Sequence, residues 1–353
     1  MNSLSGDEFT PRTTYLNTAA TGLIPARSLA PLRAALDTAG TSGQYVDEAF
    51  AAVEESRERY ARIVGVPARR VAAGGSVAVY AGLIATSLPS GAEVLVADGD
   101  FSSLVNPFAV RADLRVRVAA LEDLAGAVRP ETELVVVSSV QSADGRIADL
   151  GAVTAAARAH GARTLVDLSQ SAGWLPLSAD AFDFTVAVAY KWLLCPRGVA
   201  FLTVPEDLGG LTPVFAGWVA GEDPWRSTYG IVEELARSAR RFDLSPAALS
   251  YVAAPHSLAL IEEIGVAAVA AHNRALADRF RAGVAALGHP SVSAPGSAIV
   301  SVPGLGRAAA RLAEAEVYVS NRAGNLRAAF HLYNSSDQVD RLLEVLAGAP
   351  ATA

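Results

Sequence analysis

Lysine is almost missing from this chain: Lys191 is the only one among 29 basic side chains in 353 residues. Cysteine is equally scarce. A single residue, Cys195, excludes any intrachain disulfide, which makes a cytosolic protein the expectation. The five histidines, at 160, 256, 272, 289 and 331, are scattered without metal-ligand spacing, so no metal site is expected. No apolar run reaches the length of about 18 residues that a membrane-spanning helix requires. The first residues lack a basic stretch followed by an apolar one, so no signal peptide is expected. No basic stripe appears, and the net charge is −7, which argues against nucleic acid as a partner. Internal repeats and low-complexity linkers are missing too.

What is present is apolar material, 51% of residues against 18% charged, enough for a sizeable core. Short apolar segments at 93–98, 134–140, 163–167, 184–189 and 199–204 read as strands. Their lack of polar alternation indicates a sheet buried on both faces, hence mostly parallel. Helical stretches alternate with them. Residues 150–160 end before Gly161, and residues 50–64 end at Gly65-Val-Pro67. The pattern predicts an α/β architecture with helices on both sides of the sheet. After about residue 246 the character changes. A long helix is expected over 266–287, with Leu276, Phe280, Val284 and Leu287 on one stripe. Strand-like pieces at 298–302, 317–319 and 326–331 follow, then a helix over 336–346. The expected organisation is an N-terminal arm (1–20), a large α/β domain (21–245) and a smaller α+β domain (246–353).

The lone lysine closes an apolar run, where an unpaired charge is expensive. Arginine serves wherever charge alone is wanted. Lysine can lose its proton when desolvated and act as a nucleophile, for instance in a Schiff base to a carbonyl compound. The alternative is compositional accident in an Arg- and Ala-rich chain. Other features align with the amine. Gly74-Gly75-Ser76-Val77 leads into a helix, where backbone N–H groups and the Ser76 hydroxyl form an anion site; alone, Ser76 reads as an ordinary helix cap. Asp167 ends a buried strand, the place where doubly wound folds put ligands, although a cap or turn aspartate has the same look.

The segments Asp167-Leu-Ser-Gln170-Ser-Ala-Gly173, Tyr190-Lys191-Trp-Leu-Leu-Cys-Pro-Arg-Gly198, Tyr15-Leu-Asn17-Thr-Ala-Ala and Leu326-Arg327-Ala-Ala-Phe-His-Leu-Tyr333-Asn334 occur in an order that resembles the class V aminotransferase family. This is the cysteine-desulfurase-like and C–S lyase branch of fold-type I pyridoxal-phosphate (PLP) enzymes. The resemblance spans about residues 15–346. It implies that Lys191 holds the cofactor and shuttles the substrate's α-proton, and that Asp167 pairs with the pyridine nitrogen. It implies further that Gln170 bonds the ring's phenolic oxygen, that Phe101 stacks on the ring, and that Ser76, Val77 and Tyr190 serve the phosphate. Trp218 and Ser245 would reach a neighbouring subunit's site, which implies a homodimer. Arg327 would clamp the substrate carboxylate, with Ser142 and Asn17 nearby.

Four departures are informative. Tyr190 stands where many relatives have histidine, as in kynureninase-like members. Val188 replaces a serine that donates to phosphate, and Ser142 an expected asparagine. Cys195 lies in the wrong segment for a persulfide-carrying loop, which disfavours a desulfurase and leaves it as a packing residue. The segment 42–46 is similar to C–S lyases of this branch. The expected reaction is α,β-elimination on a cysteine conjugate or sulfoxide. Transamination follows, then kynureninase-type hydrolysis or epimerisation, and a PLP-binding protein without catalysis is the non-enzymatic alternative. Tyr45, Trp225, Tyr229 and Tyr251 are candidates for a pocket wall.

Overall fold

The computed structural model describes residues 1–348. In chain order its strands and helices are β1 (Thr14–Tyr15), α1 (Ala26–Thr41), α2 (Val46–Val64), β2 (Val71–Gly74), α3 (Val77–Ser87), β3 (Glu93–Ala97), α4 (Ser102–Ala109), β4 (Arg115–Ala119), β5 (Thr132–Ser138), α5 (Leu150–His160), β6 (Arg163–Asp167), β7 (Phe184–Val188), β8 (Ala200–Thr203), α6 (Ala248–Ile264), α7 (Val266–Ala286), β9 (Ile299–Val302), α8 (Ala308–Glu314), β10 (Val317–Tyr318), β11 (Ser320–Arg322), β12 (Asn325–Ala329) and α9 (Ser336–Ala347).

Seven strands form the main sheet in the order β2-β8-β7-β6-β5-β3-β4. Only β8 runs against its neighbours, pairing antiparallel with both β2 and β7. The sheet is thus mostly parallel, as the unbroken apolar strands predict. Leu134, Val135, Val136 and Val137 of β5 are fully buried because each face of the strand meets a separate apolar core. The helices end where glycine permits a left-handed turn: α2 at Gly65 (φ 73°) and α5 at Gly161 (φ 73°).

A second sheet, β11-β12-β9, is three-stranded and antiparallel, and β1 pairs in parallel with β10. Its core gathers Leu276, Phe280 and Val284 of α7 with Leu326, Phe330 and Leu342, and Leu16 from the N-terminal segment joins them. Leu287 was expected on the same stripe. It is 37% exposed, because α7 ends at Ala286 and the chain turns away. Among the described residues no single helix is long and apolar enough to cross a membrane.

A further core brings Trp174 and Trp192 together with Ile299, Leu332 and Tyr333. The C-terminal ends of β5, β6 and β7 open beside it, at the edge where open parallel sheets bind ligands.

Candidate active site

Asp167 is the last residue of β6, flanked in register by Ser138 of β5 and Val186 of β7. The chain leaves β7 and turns back into β8 through residues 189–199, which carry Lys191. Backbone bonds pin this turn: Ala189 N donates to Val199 O at 2.9 Å and Cys195 N to Ala189 O at 3.0 Å. The N-terminal segment completes it, with Gly22 N donating to Tyr190 O at 2.9 Å. Glycine is required at position 22, since a Cβ there would stand 2.1 Å from the Lys191 carbonyl oxygen. We therefore expect Gly22→Ala to displace the lysine turn. The change should cost on the order of 1–3 kcal/mol of stability, as overpacking does. It should also weaken cofactor affinity, which thermal melts and a cofactor titration would register together.

A cavity of about 300 Å³ lies over these elements, lined by Gly75, Ser76, Val77, Phe101, Ser103, Asp167, Ser169, Val188, Tyr190, Lys191, Arg197 and Gly198. Its contributors come from separate places: the start of α3, the loop before α4, the ends of β6 and β7, and the lysine turn. Lys191 is 5% exposed, with Nζ 5.2 Å from the Phe101 ring centroid and 5.9 Å from that of Tyr190. Burial lowers its amine to about 8. Asp167 opposes that shift, while Arg327, Arg322 and Arg197 add to it. Asp167 is 4% exposed, and burial raises its carboxyl to about 6 although Ser169 N donates to Oδ1 at 2.7 Å. A desolvated acid and a desolvated amine in one cavity are the mark of a chemical site rather than a structural ion pair.

The Phe101 loop is held by Asp100, whose Oδ2 accepts from Ser138 N at 2.7 Å and whose Oδ1 accepts from Phe101 N at 2.6 Å. At the start of α3 the Ser76 Oγ accepts from Ala78 N at 3.2 Å, so the serine acts as the helix cap as well.

Arg327 projects from β12 and is fully buried. Nε donates to Ser320 Oγ at 3.1 Å, Nη1 donates to the Ser142 carbonyl and, at 3.1 Å, to Ser142 Oγ, while Nη2 has no partner. Desolvation, aided by Arg322, lowers this guanidinium to about 9. A buried cation with a free N–H edge is suited to a carboxylate. Asn17, bridged to Ala329 at the end of β12, likewise has a buried side-chain oxygen without a partner.

The family model Aminotransferase class-V matches residues 14–304. The chain belongs to this family. Among curated relatives it is 27% identical over 318 residues to YcbU, an uncharacterized aminotransferase of Bacillus subtilis (strain 168), covering 85% of this chain and 84% of that protein. It is 28% identical over 336 residues to isopenicillin N epimerase of Streptomyces clavuligerus, covering 83% of each. Among solved structures, the cystine C–S lyase C-DES superposes with a TM-score of 0.85 at 23% identity, covering 96% of this chain and 98% of that one. That likeness establishes the fold-type I architecture. As a class V member the chain is a pyridoxal-phosphate enzyme.

The residues present fit that cofactor. Asp167 is a buried acid with no cation bonded to it, which suits a protonated pyridine nitrogen. Lys191 is the one ε-amine, Phe101 offers a ring face, and the start of α3 presents backbone N–H groups to a phosphate.

Of the class V residues expected from the sequence, Ser76, Val77, Phe101, Asp167, Tyr190 and Lys191 line the cavity together. Gln170 does not line it. Its Nε2 donates to Ala19 O and Ser142 Oγ, both at 3.0 Å, and its Oε1 accepts from Trp192 Nε1 at 2.8 Å. Through Ser142 it is tied to Arg327, so Gln170, Ser142 and Arg327 form one polar group; like Gln170, neither Ser142, Arg327 nor Asn17 lines the cavity. Trp218 packs on Phe50 and Trp225, with ring centroids 5.3 and 5.4 Å away. Ser245 is exposed and follows Leu244, whose N donates to Ala73 O at 3.1 Å. Neither lines the cavity of its own chain.

The four aromatic wall candidates are corrected: none lines the cavity. Tyr251 is fully buried, donating to Gly74 O at 2.8 Å, and thus braces β2 from behind. Trp225 and Tyr229 sit on an exposed loop, and Tyr45 precedes α2. Cys195 is buried at 1% exposure with its thiol pushed up by desolvation, consistent with a packing residue. Arg197, Ser103 and Ser169 were missed by sequence reasoning. Arg197 lies inside the lysine motif, between Pro196 and Gly198, with no sequence signal that sets it apart from surface charge.

Proposed function

We propose that the chain eliminates a soft leaving group, such as a thiolate or sulfenate, from Cβ of an L-amino acid, releasing ammonia and a 2-oxo acid. The observation that carries this reading is the scarcity of proton carriers: the ionisable groups lining the cavity are Asp167, Tyr190, Lys191 and Arg197. The cofactor supplies an aldehyde for amine exchange and a ring that accepts electrons from Cα. Arg327 takes the carboxylate on its free Nη2 edge, while Ser142 and Ser320 fix the plane of the guanidinium. Lys191, whose amine titrates near 8, takes the α-proton. Asp167 would pair as an anion with the ring nitrogen, and Phe101 would offer its face to the ring. No histidine lines the cavity among the described residues, which leaves Tyr190 as the one neutral proton donor beside Lys191 for a leaving group. A thiolate, with an ordinary thiol pKa of about 8.5, needs none.

Transamination is the second reading. It uses the same single proton carrier, and the similarity to YcbU over most of both chains favours it.

We infer in addition a homodimer, in which Trp218 and Ser245 serve the partner's cavity. Ser245 is exposed, and Trp218 belongs to an aromatic cluster beside the exposed Trp225, Tyr229 and Ile231.

Incubation with S-substituted cysteines and their sulfoxides decides the reaction. Pyruvate and ammonia formed without an added acceptor are expected. Strict dependence on a 2-oxo acid would reassign the chain to transamination, and inversion at Cα without either product would assign an epimerase.

A further inference from the structure

Phosphate recognition in this chain has lost one donor: Val188 lines the cavity with an isopropyl group where the family resemblance implies a serine hydroxyl. A cation stands in the same cavity with no acid to neutralise it. The Arg197 guanidinium carbon lies 4.1 Å from the Tyr190 ring centroid, and Nη2 donates to Thr21 Oγ1 at 3.3 Å. Among the described residues it has no carboxylate partner. Stacking of this kind fixes the plane of a guanidinium while leaving its N–H edge free.

The backbone that carries it is locked. Ser250 Oγ donates to the Arg197 carbonyl at 2.5 Å. Gly198 follows at φ +101°, and a Cβ there would lie 2.8 Å from Ala247 Cβ. The next contact across the cavity is the phosphate cradle itself: a Cβ on Gly75 would stand 3.4 Å from the Gly198 carbonyl oxygen. Arg197-Gly198 and Gly75-Ser76-Val77 are therefore two sides of one cleft.

We propose that Arg197 is a phosphate-binding residue of this enzyme, clamping the cofactor's phosphate from the Tyr190 side opposite the start of α3 and supplying the contact that Val188 cannot. The inference rests on the cofactor assignment and is independent of which reaction follows. A phosphate monoester carries nearly two negative charges, and α3 alone offers only partial positive charge. A full cation on the other side, at the exposed rim of the cavity, completes the neutralisation through a charge-assisted bond.

The test compares pyridoxal phosphate with pyridoxal, which forms the same link to Lys191 but has no phosphate. Equilibrium titration of the apoprotein, followed by absorbance, gives both dissociation constants. Arg197→Gln should weaken pyridoxal phosphate binding on the order of 10- to 100-fold, the range of one charge-assisted bond. It should change pyridoxal binding far less, and only through the charge Arg197 places near the Lys191 amine, so that discrimination between the two aldehydes collapses. Arg197→Lys, which keeps the charge, should recover most of the lost affinity. Equal weakening toward both aldehydes in Arg197→Gln, or no weakening toward either, overturns the proposal. A wild-type chain that binds neither aldehyde removes the cofactor assignment and this inference with it.

Discussion

Lys191→Ala abolishes the borohydride-sensitive absorption band of the holoprotein and lowers turnover by at least about 10³-fold, within the range expected when a positioned proton carrier is lost. The effect is large because no other amine can substitute. The chain has one lysine, and the surrounding cations are guanidiniums that do not form imines at neutral pH. The pH dependence of reconstitution should carry the same signature. Attack on the aldehyde requires the neutral amine, so uptake by the apoprotein should rise through about pH 8 and then level off. Below about pH 6, protonation of Asp167 removes the anion that pairs with the ring nitrogen, and cofactor affinity should fall.

The same burial costs the apoprotein stability, and that cost is relieved as pH rises. Burial depresses the folded pKa of Lys191 below its unfolded value of 10.5, so folding disfavours the charged form. That penalty is fully present below about pH 8 and fades as pH rises toward 10.5. It amounts to about 3 kcal/mol at neutral pH. Lys191→Met should therefore melt higher than the wild-type apoprotein at pH 7, and a lower melting temperature would contradict the burial argument.

Arg327→Met is expected to lower kcat/KM by roughly 10²- to 10³-fold, with the loss concentrated in KM for the amino acid. Such a loss is the usual cost of removing one partner from a buried charged pair. Arg327→Lys should not rescue it, because an ammonium cannot satisfy Ser142 and Ser320 and still present a flat edge to a carboxylate. The apoprotein gives the complementary readout. The wild-type guanidinium is buried without an anion and leaves Nη2 unbonded, so the methionine variant should be at least as stable as wild type. Together these outcomes would place position 327 among sites where stability is given up for binding. Unchanged KM, or a marked fall in melting temperature, would make Arg327 a structural residue instead.

The parts of the site that were legible from sequence are those whose position is fixed by one strand end. Asp167 and Lys191 follow β6 and β7, Ser76 precedes α3, and a run of buried β-branched residues announces each strand before its polar terminus. Gln170 was less legible because an amide has several equivalent uses. Its neighbours Ala19, Ser142 and Trp192 claim its hydrogen bonds, and all three are distant in sequence, at separations of 151, 28 and 22 residues. Tyr251 and Trp225 show the same difficulty for aromatics. Both are large and amphipathic, yet one braces β2 from the core and the other stands 63% exposed. Leu287 continued the apolar spacing of α7 past the helix end, where periodicity no longer governs burial. Arg197 escaped notice because an arginine between proline and glycine looks like surface charge. Only the packing of its plane on Tyr190 distinguishes it.

The solitary, shielded ε-amine of Lys191 also makes the protein an unusually clean substrate for chemical counting. Reduction of the cofactor in place should yield one adduct mass on one tryptic fragment. Acylating reagents should find no competing side-chain amine on the outer surface and only the α-amine of Met1 besides, so the mass of the reduced adduct reads occupancy of the catalytic centre as a stoichiometry.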